Sequence, residues 1–359
     1  MRVIAAAGGT AGHVNPMLAT ARELISRGHD VIALGTKEGL EADLVPAAGL
    51  DLVTIDRVPL PRKPSLDLLR LPSRLRGAVG SVRELAARSN ADLILGFGGY
   101  VSAPAYLAAR SNLPIVVQEQ NAKPGIANRL GARHAAGVAL TFPDTPLAAK
   151  RGITRVTGLP LREEIAELAA DLSDPERARA RRVAAAAAYG LDPGRPVILV
   201  TGGSSGAQKL NETMAGSAEA IAGHAQVLHI TGKGKSAGIV ESPGYRVIEY
   251  ETDMARAYAV ADLVVSRSGA GMVAELAALA LPAVVVPLPI GNGEQYLNAK
   301  SLIDAGGFAH VPNEDFTPAA VTETVLPLLG RVDEMSRALA AAGVTGGASG
   351  VADLIEEVA

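Results

Sequence analysis

Two short apolar runs, each ending in a glycine-rich loop, constrain this chain more than any other feature. Val3-Ile4-Ala5-Ala6-Ala7 leads into Gly8-Gly9-Thr10-Ala11-Gly12-His13, and Val197-Ile198-Leu199-Val200 leads into Gly202-Gly203-Ser204-Ser205-Gly206. After each loop the pattern turns helical. A strand, a tight loop and a helix N-terminus in succession offer backbone N–H groups and the positive end of a helix dipole to an anion. Finding this twice predicts two similar α/β halves.

The remaining pattern agrees. Short apolar segments alternate with longer amphipathic ones, placing strands at 3–7, 30–34, 52–55, 93–96, 115–118, 137–140 and 155–157 in the first half. In the second half they fall at 197–200, 226–230, 245–249, 263–266 and 283–286. Strand–helix alternation with glycine turns implies parallel, doubly wound sheets. The first domain is expected to span 1–158 and the second 159–340, with a final helical segment at 341–359. Ser173-Asp174-Pro175-Glu176 starts a helix, with proline in its first turn, that Gly190 ends.

Composition narrows the class. A chain of 359 residues with 48% hydrophobic content can bury two cores. No uninterrupted apolar run of about 18 residues indicates a membrane span. The first strand begins almost at once, leaving no room for a signal peptide, so a cytoplasmic protein is expected. Without cysteine there is no disulfide framework and no thiolate metal site. The 3% aromatic content gives too few stacking platforms for nucleic acid.

The net charge of −3 hides an asymmetry. Residues 1–158 hold 19 Lys+Arg against 12 Asp+Glu, a balance of +7, and the remainder holds 15 against 25, a balance of −10. The basic residues crowd at Arg62, Lys63, Arg70, Arg74, Arg76 and Arg83, interleaved with Leu66, Leu68, Leu69, Leu71 and Leu75. That combination suits an anionic membrane surface. It equally suits a solvated helix pair whose leucines pack inward, the commoner arrangement.

In open α/β sheets, ligands bind beyond the carboxyl ends of the strands. The loops there are unusual: Gly98-Gly99-Tyr100-Val101-Ser102, Gln118-Glu119-Gln120-Asn121, Ser266-Arg267-Ser268-Gly269-Ala270 and Glu294-Gln295 running into Asn298-Ala299. Together with Gly8-Gly9-Thr10-Ala11-Gly12-His13-Val14-Asn15-Pro16 and Gly202-Gly203-Ser204-Ser205-Gly206-Ala207, and in this order, they make the chain resemble the MurG family over nearly its whole length. The resemblance implies a GT-B fold: two Rossmann-like domains with parallel sheets facing a central cleft, acceptor and membrane contacts on the first and the nucleotide-sugar on the second. It further implies a last helix packing back toward the first domain.

The implied activity is inverting transfer of N-acetylglucosamine from UDP-N-acetylglucosamine to the 4-hydroxyl of the muramyl sugar of undecaprenyl-diphospho-muramyl-pentapeptide. It would take place peripherally on the cytoplasmic face of the cell membrane. Another GT-B glycosyltransferase with a different lipid or small-molecule acceptor, or a UDP-sugar epimerase, is the rival reading. A nicotinamide dehydrogenase is a poor one, because the first loop lacks Gly-x-Gly-x-x-Gly spacing.

Site residues follow from the match. His13 is a general base or a phosphate contact, and its other reading is a first-turn histidine bonded to nearby backbone. Thr10, Ala11 and Gly12 would approach the acceptor's pyrophosphate, with a helix cap as the plainer role of Thr10. Glu119 is read equally as catalytic or as an internal anchor, and Asn121 as a sugar contact. Arg162 would neutralise a diphosphate oxygen, and Ser204 would touch the α-phosphate. Ala270, Gly271, Met272, Val273 and Ala274 would line the nucleotide, Glu275 would accept the ribose hydroxyls, and Gln295 would read sugar hydroxyls. Gln118 stands where the commoner pattern has histidine, and Glu294 replaces an amide in Gly291-Asn292-Gly293-Glu294. No Asp-x-Asp motif or metal-spaced cluster is present, so neither metal nor other cofactor is expected.

Overall fold

The computed structural model describes residues 1–58, 67–110, 112–203, 205–289, 293–343 and 346–359, with backbone alone at 67–70. The chain divides into two compact units, Met1–Arg162 with Thr345–Ala359, and Glu163–Val344. The first unit carries a seven-stranded sheet of β1 (Arg2–Ala6), β2 (Asp30–Gly35), β3 (Leu52–Thr54), β4 (Leu93–Gly96), β5 (Ile115–Glu119), β6 (Gly137–Leu140) and β7 (Ile153–Val156). The second carries six: β8 (Val197–Thr201), β9 (Gln226–Ile230), β10 (Tyr245–Ile248), β11 (Leu263–Ser266), β12 (Ala283–Val285) and β13 (Phe308–His310).

The strand orders are β3-β2-β1-β4-β5-β6-β7 and β10-β9-β8-β11-β12-β13, parallel throughout. Strands β4, β5, β6 and β8 are buried at every position, as helices on both faces require. In each sheet the order reverses beside the first strand, at β1/β4 and at β8/β11. That is the switch point where loops diverge and a ligand can enter.

Two strands depart from the sequence reading. The seventh begins at Ile153 rather than 155, and its residues alternate between half-buried and exposed, which blurs the apolar run. The thirteenth, Phe308-Ala309-His310, was outside the expected set. It is a three-residue edge strand with only Phe308 fully buried, so it leaves no periodic signature.

Helix Pro175–Tyr189 is capped as the sequence dictates. The Asp174 carboxylate accepts from the N–H groups of Glu176 at 2.9 Å and Arg177 at 3.2 Å, and Gly190 closes the helix at φ 65°. In helix Asp67–Ser89 the buried Ala78, Val82 and Leu85 face the core with Leu71 and Leu75 packed against it, while Arg74, Arg76 and Arg83 are exposed. These leucines therefore pack inward. Arg62, Lys63 and Leu66 lie outside the described residues, as do the side chains of Leu68, Leu69 and Arg70.

The first unit ends at Arg162 rather than at 158. Helix Val332–Ala342 belongs to the second unit, so the terminal segment begins later than 341. That segment, helix Gly347–Val358, completes the first unit. It buries Val351, Ala352, Leu354 and Ile355, with Leu354 against Gly137 of β6. Arg27 bonds Glu23 at 2.8 Å, Asp353 at 2.7 Å and Glu356 at 3.0 Å, and these carboxylates raise its already high pKa. Gly347 N–H donates to Thr157 O at 2.7 Å. The stretch Pro318–Val358 is apolar enough by length and composition to cross a membrane, but the fold divides it among several short helices.

The apolar face of the last helix is therefore structural. Leu354→Ala should cost about 3 kcal/mol in urea unfolding of the first unit, because the rigid sheet beneath cannot collapse into the cavity. A loss below about 1 kcal/mol would show that the helix is merely draped on the unit.

Candidate active site

The first glycine loop leaves β1 beside the loop that leaves β4. Gly9, Gly98 and Gly99 adopt φ values of 95°, 93° and 77°, which β-carbons disfavour. A Cβ on Gly99 would collide with the carbonyl of Gly8, so the two loops touch through their backbones. His13 opens onto this junction. Its Nδ1 lies 2.9 Å from Thr10 Oγ1, and its ring edge lies against Gly98. Among the described residues Nε2 has no hydrogen-bond partner. Burial holds the imidazole below its ordinary 6.5, partly offset by the charge of Glu41. Thr10 occupies the N-cap position of helix Ala11–Ser26, yet its side chain makes no cap bond and goes to His13 instead.

Glu41, which the sequence reading passed over, sits fully buried beneath this loop. Its Oε2 accepts from Gly9 N–H at 3.0 Å, and its Oε1 accepts from Thr36 N–H at 2.9 Å and Thr36 Oγ1 at 2.7 Å. These donors outweigh desolvation and hold the carboxyl below its ordinary 4.5, so it is buried as an anion. A Cβ on Gly8 would stand 2.8 Å from Oε1, and one on Gly39 would collide with Oε2. The sequence signal was there, in Gly8, Gly35 and Gly39, but only the fold brings those glycines around one acid.

The polar cluster after β5 turns inward. Glu119 is 1% exposed, and its carboxylate accepts from Asn121 N–H at 3.0 Å, Gly125 N–H at 3.0 Å and Asn128 Nδ2 at 2.9 Å. Desolvation raises its pKa against these bonds. Glu119 thus anchors the loop that follows it, with both oxygens accepting from the chain. The side chain of half-buried Asn121 is also drawn to Glu119. Gln118 is fully buried and donates to Thr141 Oγ1 at 3.1 Å, while Gln120 donates to Phe97 O at 2.8 Å. Asn128 also accepts from Tyr106 O–H at 2.9 Å, a partnership with no local sequence signature. Arg162 is half-buried at the end of the first unit, directly before helix Glu163–Leu172.

The second glycine loop has the opposite electrostatic surroundings. Gly206 (φ 65°) backs onto Gly232 (φ 95°), and a Cβ on Gly206 would collide with Thr231 O. Lys235 Nζ donates to Ser205 O at 2.7 Å, placing a cation where the first loop has an anion. Helix Gln208–Ala215 begins behind the loop with no side-chain cap. Ser204 lies outside the described residues, as do Gly291 and Asn292.

After β11, helix Ala270–Ala278 presents half-exposed Ala270, Gly271 and Met272, while Val273 and Ala274 are buried. Glu275 Oε2 accepts from Tyr258 O–H at 2.8 Å, so a tyrosine from the neighbouring helix orients this acid. Arg267, its pKa lowered by desolvation, ties the ends of β11 and β12 by donating to Val286 O at 2.8 Å. Ser266 and Ser268 are fully buried, and among the described residues their hydroxyls have no partner. The carbonyl of Gln295 accepts from Leu288 N–H at 2.9 Å. Glu294 opens helix Glu294–Asp304 as the acid of its first turn. Thus Thr10, Ala11, Gly12 and His13 are gathered in one unit, and 270–275 with Gln295 in the other.

Residues 3–140 match the glycosyltransferase family 28 N-terminal domain and residues 197–358 the glycosyltransferase family 28 C-terminal domain. The chain is 49% identical to a protein of Clavibacter sepedonicus, covering 98% of this chain and 95% of that one, and 45% identical to one of Paenarthrobacter aurescens, covering 99% and 96%. Both are named UDP-N-acetylglucosamine–N-acetylmuramyl-(pentapeptide) pyrophosphoryl-undecaprenol N-acetylglucosamine transferase. Among solved structures, MurG of Acinetobacter baumannii superposes with a TM-score of 0.77 at 29% identity, covering 99% of each chain.

Removing the buried anion strands three donors. Glu41→Ala should lower stability by about 3 kcal/mol, read by urea unfolding at neutral pH. Because the folded carboxyl titrates below 4.5, its contribution is complete above that value and fades as pH falls through the folded pKa. Glu41→Gln should therefore flatten the acid side of the stability curve, and an unchanged acid slope would place the charge elsewhere.

Proposed function

The chain belongs to the MurG family of glycosyltransferases, and on that footing we propose that it transfers N-acetylglucosamine from UDP-N-acetylglucosamine to the 4-hydroxyl of undecaprenyl-diphospho-muramyl-pentapeptide in peptidoglycan synthesis. The observation that carries this reading is likeness to transferases of that name along nearly the whole chain, both glycine loops included. The first unit takes the lipid-linked acceptor and the second takes the nucleotide sugar.

The reaction is one displacement. The acceptor oxygen bonds to the anomeric carbon as the bond from that carbon to the β-phosphate oxygen breaks, and the electron pair leaves on UDP. The hydroxyl proton goes to His13 Nε2, which requires the tautomer whose Nδ1–H donates to Thr10 Oγ1. Burial keeps the imidazole neutral at physiological pH, and the Glu41 anion stabilises the imidazolium once formed. Positive charge grows on the donor sugar ring. Negative charge grows on the leaving diphosphate, where Arg162, Ser204 and the N-terminus of helix Gln208–Ala215 would meet it. Glu275, held by Tyr258, accepts the ribose hydroxyls, and the Gln295 amide donates to the sugar.

We propose that the transfer needs no metal, which the response to EDTA tests. The exposed arginines of helix Asp67–Ser89, with Arg62 and Lys63, would meet anionic headgroups on the cytoplasmic membrane face, which cosedimentation with anionic vesicles measures.

The deciding assay follows labelled N-acetylglucosamine from UDP onto the lipid-linked acceptor. Wild type should transfer it, EDTA should leave the rate unchanged, and His13→Ala should lower kcat about 100-fold or more. The acid limb of kcat/KM should lie below pH 6.5, since the base must be unprotonated and its folded pKa is depressed. Turnover of some other acceptor, with none of the lipid, would assign the chain to a different glycosyl transfer.

A further inference from the structure

The first glycine loop is poorly equipped to hold a diphosphate by itself. Its Gly9 N–H already donates to the buried Glu41 anion, which also sets a full negative charge under the loop. A second anion arriving there needs a cation to offset that field. Arg57 is one. It follows β3, whose carboxyl end opens on the same sheet edge, and it is exposed. Its guanidinium carbon stands 4.5 Å from the centroid of the Tyr100 ring, and that ring lies 3.4 Å from where a Cβ on Gly9 would be.

Loop, aromatic ring and guanidinium are therefore stacked in sequence at the mouth of the site. Among the described residues Arg57 pairs with no carboxylate, and the neighbouring 59–66 segment contains no acidic residue. Stacking engages the face of a guanidinium and leaves its N–H fork in the plane free to bind two oxygens. We propose that Arg57, held on Tyr100, is the residue that grips the acceptor's diphosphate at the first glycine loop. The identity of the acceptor rests on the proposed function; the affinity for a diphosphate does not.

The test uses a water-soluble short-chain acceptor, so that no membrane is present. Arg57→Ala should raise the KM for this acceptor about ten-fold or more while leaving the KM for UDP-N-acetylglucosamine unchanged. Arg57→Lys should recover part of the loss, since it keeps the charge but not the planar fork, and Tyr100→Leu should raise the acceptor KM less than Arg57→Ala. Independently of turnover, inorganic pyrophosphate should bind UDP-saturated wild type and bind Arg57→Ala about ten-fold more weakly or worse by calorimetry. Unchanged acceptor KM and unchanged pyrophosphate binding would overturn the assignment. So would a variant that loses only its binding to anionic vesicles, which would give Arg57 to the membrane surface. Wild type that binds pyrophosphate through Arg57 yet transfers nothing to the lipid would sink the proposed function and leave this site standing.

Discussion

A single buried carboxylate organises the first half of this enzyme. Glu41 is ionised with no cation in contact among the described residues, and its carboxylate accepts from two backbone N–H groups and one hydroxyl. Such an anion survives only where donors converge, and convergence here demands that Gly8, Gly35 and Gly39 lack side chains. Through Gly9 N–H it holds the loop that touches the Gly98-Gly99 turn and leads into His13. Paired glycines that look like a phosphate cradle in the sequence thus act first as the walls of an acid's cavity.

The two glycine loops share an architecture and differ in sign. Each follows the strand at the switch point of its sheet and precedes a helix with no side-chain cap. Beneath one lies Glu41; across the other lies Lys235. A negative floor favours a group that accepts a proton and becomes cationic, the role proposed for His13. A positive rim favours a group that departs as an anion, as a nucleoside diphosphate does. The same fold element thus carries a charge of opposite sign against its backbone in each copy, an arrangement that suits the two halves of the proposed reaction.

Much of this was legible in the residues. Short apolar runs located twelve of the thirteen strands among the described residues, because parallel strands covered on both faces are mostly continuously apolar. Asp174-Pro175 and Gly190 marked one helix at both ends, since capping is a local property. What stayed hidden depended on distant partners. Glu119 and Asn121 read as candidates because polar side chains at a strand end need partners, and the partners that Glu119 finds within the chain lie up to nine residues away. Tyr258 orients Glu275 from another helix, and Asn128 joins Tyr106 to Glu119 across the sheet edge. Periodicity cannot report contacts of that range.

The last helix carries a further consequence. Gly347–Val358 packs on helix Ala11–Ser26 and its edge of the sheet, with Arg27 clamped by Glu23, Asp353 and Glu356. The first unit is therefore discontinuous, opened by the earliest residues and closed by the final ones. During synthesis, the second unit is complete while the first still lacks a wall of its core. The half that is begun first waits for a segment made after the second, so a chain cut before Gly347 carries one whole unit and one unsealed one.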